Sequence, residues 1–113
     1  MARKKTKNRM PAHIVEVVHE RSNFVCEAMI REAGCNGRGE HHHHRQLRSQ
    51  GGAHLVVNII HICHLCHHYI HMHPAISYYN GWLVKSSHDP AKAPFKRRGS
   101  FVQLMEDGEM TGI

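Results

Sequence analysis

The chain has 113 residues, 41% hydrophobic and 21% charged. That length fits one domain, the composition excludes a disordered chain, and no apolar run is long enough to span a membrane. Seven aromatic residues (one Trp, three Tyr, three Phe) promise a small core, whereas four Cys and fourteen His offer bound metal as a supplement to it. The net charge is +6 with His neutral, and it is unevenly placed. Arg3, Lys4, Lys5, Lys7 and Arg9 crowd the start without an acid, Arg45 and Arg48 follow a His run, and Lys96, Arg97 and Arg98 form a further cluster. A basic arm with basic patches is the footprint of a polyanion binder, most often nucleic acid, although a solvated tail has the same composition. No apolar segment follows the basic start, so no signal peptide is expected and the chain is placed in a reducing cytoplasm.

Residues 1–10 read as a basic arm, 11–105 as one domain and 106–113 as an acidic tail. Pro11 suits the first turn of a helix, and Ile14, Val17 and Val18 recur at helical spacing, which predicts a short amphipathic helix over 11–21. Residues 24–26 read as extended, and the glycines around Cys35 as a loop. Residues 41–48 and 55–62 are predicted to be the strands of a hairpin. The second is rich in β-branched residues, and Ser49-Gln50-Gly51-Gly52 between them is turn-rich. A helix is expected from His64 to about His73, ended by Pro74, and another from Ala75 to Asn80, ended by Gly81. Residues 82–84 and 101–104 are candidate strands.

Cys63-His64-Leu65-Cys66 is a C-x-x-C knuckle, a spacing that brings two sulfurs to one tetrahedral ion. Cys26 and Cys35, with eight residues between them, would complete a four-cysteine structural zinc; free buried cysteines and disulfides are the alternatives. Cys63 to His67 also fits the c-type haem attachment pattern, but that chemistry needs export and leaves Cys26 and Cys35 unused. A zinc nucleobase deaminase would need an H-x-E, which the chain lacks, and a Pro where Ile62 stands. His67 and His71 fall one turn apart on the predicted helix, at ligand spacing and beside a zinc cysteine. The internal run His41 to His44 is too short and too central for an affinity tag, and a metal-sticky patch is its plain reading. His61, His64, His68 and His73 show no usable pattern and read as surface or supporting residues.

Taken together, Cys26 and Cys35, then His43-His44-Arg45 through Ser49-Gln50-Gly51-Gly52, then Asn58 through Cys63-His64-Leu65-Cys66-His67 and His71, resemble the HNH endonucleases. The resemblance is densest over 26–71, within a core motif of 26–73, and the stretch around His73-Pro74, Gly81-Trp82 and Asp89-Pro90 is similar to small phage and prophage members. It implies an α+β fold: a small zinc-stabilised ββα-metal (HNH, or His-Me finger) domain with flanking short helices and strands. It implies that His43 binds a catalytic divalent ion (Mg²⁺, Mn²⁺ or Ni²⁺), that His67 and His71 complete that site, and that His44 is the general base. Asn58 would tie the loop to the hairpin and aim His44, while Cys26, Cys35, Cys63 and Cys66 would hold structural Zn²⁺. Arg45 and Arg48, with Arg3, Lys4, Lys5 and Lys7 of the arm, would contact phosphates. A His of near-neutral pKa would take the proton of the attacking water. The implied activity is hydrolysis of duplex DNA, as a nick or a double-strand cut, in the cytoplasm of a host cell. The implied partners are DNA and either a second copy or phage packaging proteins, with no membrane.

The chain departs from the family pattern in three places. Met29 stands where many relatives have the second cysteine of a C-x-x-C, so Cys35 must supply that sulfur. His41 stands where relatives often carry an acid, which here is Glu40. The His run also lets His42 and His43 trade roles, although counting back from Ser49 favours His43 and His44. The competing functions are a zinc-stabilised DNA-binding module without catalysis, and a metal-storage or haem protein.

Overall fold

In a computed structural model, residues 9–113 are described; the arm residues Arg3, Lys4, Lys5 and Lys7 lie outside them. Ile14 and Val18, four residues apart, share a buried face, and this stripe makes α1 (Ala12–Ser22) a helix that must pack against something. Asn23 ends it in the left-handed conformation (φ 54°), its N–H donating to the His19 carbonyl. The surface that covers the stripe is the outer side of an antiparallel pair, β1 (His41–His44) and β2 (Ile59–Ile62). Val56 and Ile59 complete this smaller core with Ile14 and Val18.

The predicted hairpin is present but half as long as expected. His41 pairs with Ile62, His42 with His61, His43 with Ile60 and His44 with Ile59, and there the ladder stops. Beyond it the Asn58 side chain takes over the role of a ladder partner. Its Oδ1 accepts from the Gln46 N–H, and its Nδ2 donates to the Gln46 and Ala53 carbonyls. Residues 56–58 turn as a 3₁₀ segment rather than extending the strand.

Helix α2 (His64–Met72) follows β2 directly; Pro74 stops it, as the sequence suggests, and also opens α3 (Pro74–Tyr79), one residue earlier than expected. Gly81 then has φ +73°, and a Cβ there would stand 2.0 Å from the Pro94 carbonyl, so the chain can pass only as glycine. The strand expected over 82–84 does not form. The backbone donors of Trp82 and Leu83 are spent on the Ser77 carbonyl and that of Val84 on Arg45, which leaves no row for a partner strand. The strand expected over 101–104 does form, as the centre of a second antiparallel sheet: β3 (Phe95–Arg97), β4 (Ser100–Leu104) and β5 (Met110–Gly112). The acidic tail thus contains a strand, and its Glu106 carboxylate accepts from the Val56 and Val57 N–H groups. The main core lies between the sheets and α2, built by Ile60, Ile62, Ile70, Trp82, Phe95 and Leu104. The result is a small α+β fold with two antiparallel sheets and three α-helices among the described residues. None of those helices is long and apolar enough to cross a membrane.

The cations behave differently from the expectation of basic patches. Arg45 is fully buried, donating to the carbonyls of Gly81, Val57 and Ala93 at 2.6–2.7 Å and more distantly to Pro90 and Pro94. Burial pulls its pKa down to about 9, which leaves it charged at neutral pH. It cannot reach a phosphate, and its assignment as a DNA contact is corrected to a structural one. Arg97 and Arg98 also turn inward. Arg97 bonds Glu27, and Arg98 bonds the carbonyls of Ser22, Val25 and Cys26. Glu27 is itself fully buried; burial opposes its ionisation, but Arg21, the His61 N–H and Arg97 outweigh it and hold the carboxyl below its usual range. Arg48, by contrast, is exposed.

Arg45→Ala leaves buried carbonyls without donors and opens a cavity, so chemical denaturation is expected to show a loss of about 3 kcal/mol or more. Arg48→Ala is expected to stay within about 0.5 kcal/mol of the parent chain.

Candidate metal centres

The four cysteines converge. Cys26 comes from the segment after α1, Cys35 from the following loop, and Cys63 and Cys66 from the start of α2; their sulfurs all lie within 4.8 Å of one another. No pair is bonded, and Cys63 Sγ sits 3.8 Å from Cys35 Sγ. A tetrahedral zinc with Zn–S bonds of about 2.3 Å holds its sulfurs about 3.8 Å apart, so the spacing suits an ion and not a disulfide. Each sulfur also accepts a backbone N–H: Met29 and Cys63 donate to Cys26, Gly37 to Cys35, Cys66 to Cys63 and Ile30 to Cys66. Donors aimed at sulfur stabilise thiolates, and the start of α2 adds its positive end. A hydrogen bond from Cys66, aided by backbone N–H groups, draws the Cys26 pKa down to about 5 against the effect of burial, whereas burial pushes Cys35 up to about 11 and the bond to Cys26 pushes Cys66 up. The four cysteines can therefore hold a structural metal ion, with Cys35 in the place that Met29 leaves vacant in sequence.

A second group lies on the face of β1 turned toward α2. His67 and His71, one turn apart, meet His43 with their donor nitrogens within 4.8 Å of one another. The three rings are nearly equidistant, with centroids 5.0, 5.5 and 5.0 Å apart, and no two are parallel. His43 is buried and its Nε2 lies 2.8 Å from the Trp82 carbonyl, which fixes Nε2 as the protonated nitrogen and leaves Nδ1 as the donor. Burial, and then the neighbouring imidazoles, hold His43 at about 3 and His67 at about 4, so both are neutral and ready to bind metal at neutral pH. His71 is exposed, which opens the group to solvent on one side. The register ambiguity between His42 and His43 resolves here, because His43 faces this group and His42 faces the other way. His41 places Nδ1 2.8 Å from Nδ1 of His67, while Glu40 bonds the N–H and ring of His64.

His44, the last residue of β1, is half-buried. Its Nε2 lies 3.0 Å from Nδ1 of His54, a residue that no sequence signal singles out because it sits in an irregular loop ten positions away. Burial, then His54 and Arg48, hold His44 at about 4, well below the near-neutral value expected for a base. Asn58 is buried, hydrogen-bonds neither His44 nor the three-histidine group, and closes the loop by bonding residues 46 and 53. His64, His68 and His73 are exposed, as the sequence suggests, but His61 is buried. Compared with known proteins, the chain matches no family model, no curated protein and no solved structure.

The lowered histidines set a direction for stability against pH. His43 and His61, at about 3 and about 4, are the buried ones, against an ordinary value of 6.5. Above that value both folded and unfolded chains carry them neutral. Below it the unfolded chain takes up protons that the folded chain refuses, so stability falls by about 2.7 kcal/mol per pH unit from these two residues. Acid unfolding of the metal-free chain, followed by Trp82 fluorescence, is expected to have its midpoint between pH 6.5 and about 4; a metal-free chain still folded well below pH 4 would contradict this.

Proposed function

We propose that the protein is a metal-dependent DNA endonuclease of the HNH kind, with β1, β2 and α2 as its ββα-metal unit and His44 as the base that activates water. The observation that carries this reading is the convergence of His43, His67 and His71 within 4.8 Å, with His44 next in sequence and the loop beside it closed by Asn58. Three protein ligands with one open side suit chemistry, whereas a structural zinc is closed by four. A divalent ion held by these three histidines would stabilise the negative charge that develops as the phosphodiester is cleaved. Among Mg²⁺, Mn²⁺ and Ni²⁺, an all-imidazole donor set favours Ni²⁺.

The chain's own residues do the proton work. In the tautomer whose Nε2 donates to Nδ1 of His54, His44 has Nδ1 free to accept the proton of the attacking water. His54 acts through His44 and is a positioning residue. A pKa held at about 4 keeps His44 neutral before the reaction. The phosphodiester anion then favours the imidazolium, so basicity rises when substrate is bound. Arg48, exposed beside His44, spends Nη1 on the Gly52 carbonyl and keeps its other donors for a phosphate, and Arg3, Lys4, Lys5 and Lys7 add sequence-independent attraction. The hydrolysis leaves 5′-phosphate and 3′-hydroxyl ends. A unit this small has little surface to lay in a groove, so weak sequence preference is expected unless a second copy or a packaging partner adds contacts.

The test is supercoiled plasmid incubated with chelator-treated protein resupplied with Ni²⁺, Mn²⁺ or Mg²⁺. The parent chain is expected to yield open-circle or linear DNA, and His44→Ala, still folded and carrying its zinc, to cut about 10²–10⁴-fold more slowly. DNA binding with no cutting under any of the three ions would instead leave a zinc-stabilised DNA-binding module without catalysis.

A further inference from the structure

The run His41 to His44 carries more imidazoles than one site uses, and β1 sends them alternately to two faces. His43 faces α2. On the opposite face, His42 stacks on its cross-strand partner His61, with centroids 4.8 Å apart and planes 5° from parallel. His19, from the last turn of α1, packs against both, with centroids 5.0 and 4.8 Å away. One donor nitrogen from each of the three lies within 4.8 Å of the others. We propose that His19, His42 and His61 form a third metal centre, which takes a first-row transition ion of the zinc type and pins α1 to the hairpin. The proposal does not rest on the nuclease reading.

The surroundings of His61 are those of a metal ligand. Ser22 Oγ accepts from the Phe24 N–H, lies 3.3 Å from the His19 carbonyl, and bonds Nδ1 of His61 at 2.8 Å. With Nδ1 engaged in this way, Nε2 is the nitrogen left for an ion, and such a bond at the other ring nitrogen is the support that metal-binding histidines characteristically have. Gly39 lies close against the Nδ1 side of the ring; a Cβ there would stand 2.7 Å from Nδ1, so only a glycine leaves room for the ring. His19 and His42 bring their Nε2 atoms to 2.8 Å from each other. Two imidazoles on a tetrahedral ion hold their nitrogens about 3.3 Å apart, which requires a shift of only about half an ångström. The three donors include no carboxylate, which suits zinc, nickel or copper and not magnesium or calcium. His19 and His42 are half-buried, so the ion has a path in from solvent.

The experiment is native mass spectrometry of the full chain reconstituted with Zn²⁺ and desalted, which counts tightly held ions. The parent chain is expected to hold three zinc ions. His19→Gln with His42→Gln is expected to hold one fewer, and His67→Gln with His71→Gln to hold one fewer independently. Loss of one ion by the first pair supports this centre even if the second pair loses none, so the two readings fail separately. An unchanged count in the first pair overturns the proposal and leaves the three rings as stacked packing. Cobalt substitution guards against misfolding, since retained thiolate-to-cobalt absorption reports an intact four-cysteine site. If the paired variant loses that band, His19→Gln alone is read by the same criterion.

Discussion

The register of β1 against β2 is the constraint on which the rest depends. A slip of one residue would exchange the faces of all four consecutive histidines, sending His42 toward α2 and His43 toward α1. The register is pinned at both ends. At one end the Asn58 amide and the Arg45 guanidinium clamp the exit of the hairpin, through Gln46 and the Val57 carbonyl. At the other, Cys63 follows β2 directly and is tied to Cys26 and Cys35. Between them Glu27 accepts the His61 N–H while bonding Arg21 and Arg97, so α1, β2 and β3 share one buried carboxylate.

That arrangement explains why a chain with so few aromatic residues invests cations in its interior. Arg21, Arg45, Arg97 and Arg98 end on backbone carbonyls or on Glu27. Short loops without regular partners leave carbonyls that must be satisfied, and a guanidinium with five donors satisfies several at once. The charge available at the surface is correspondingly smaller than the net charge suggests, and the proposed DNA contacts reduce to Arg48 and the arm.

What was legible in the sequence was local or fixed by spacing. The i, i+4 pair His67 and His71, the C-x-x-C at the start of α2, the stop at Pro74 and the stripe of α1 all follow from neighbours within a few residues. The gathering of Cys26 and Cys35 with Cys63 and Cys66 was legible because cysteines are scarce and zinc needs four. What was not legible depends on pairing across long separations. Arg45 and Arg48 look alike in sequence, yet one is buried because the chain from Gly81 to Pro94 folds over it. His54, His19 and His61 acquire partners only once the loop and α1 are docked. Strands β3 and β5 were missed because each has three residues, too few to show alternation.

The central claim is that this register delivers His43 to His67 and His71 as a metal-binding group distinct from the four cysteines. Crystals of the zinc-bound protein soaked in Ni²⁺, with diffraction recorded at the nickel edge, test it most directly. The account predicts an anomalous peak bounded by nitrogens of His43, His67 and His71, with zinc retained among the four sulfurs. An ordered structure with no nickel at those three histidines, or with two of the four sulfurs joined as a disulfide, would contradict it.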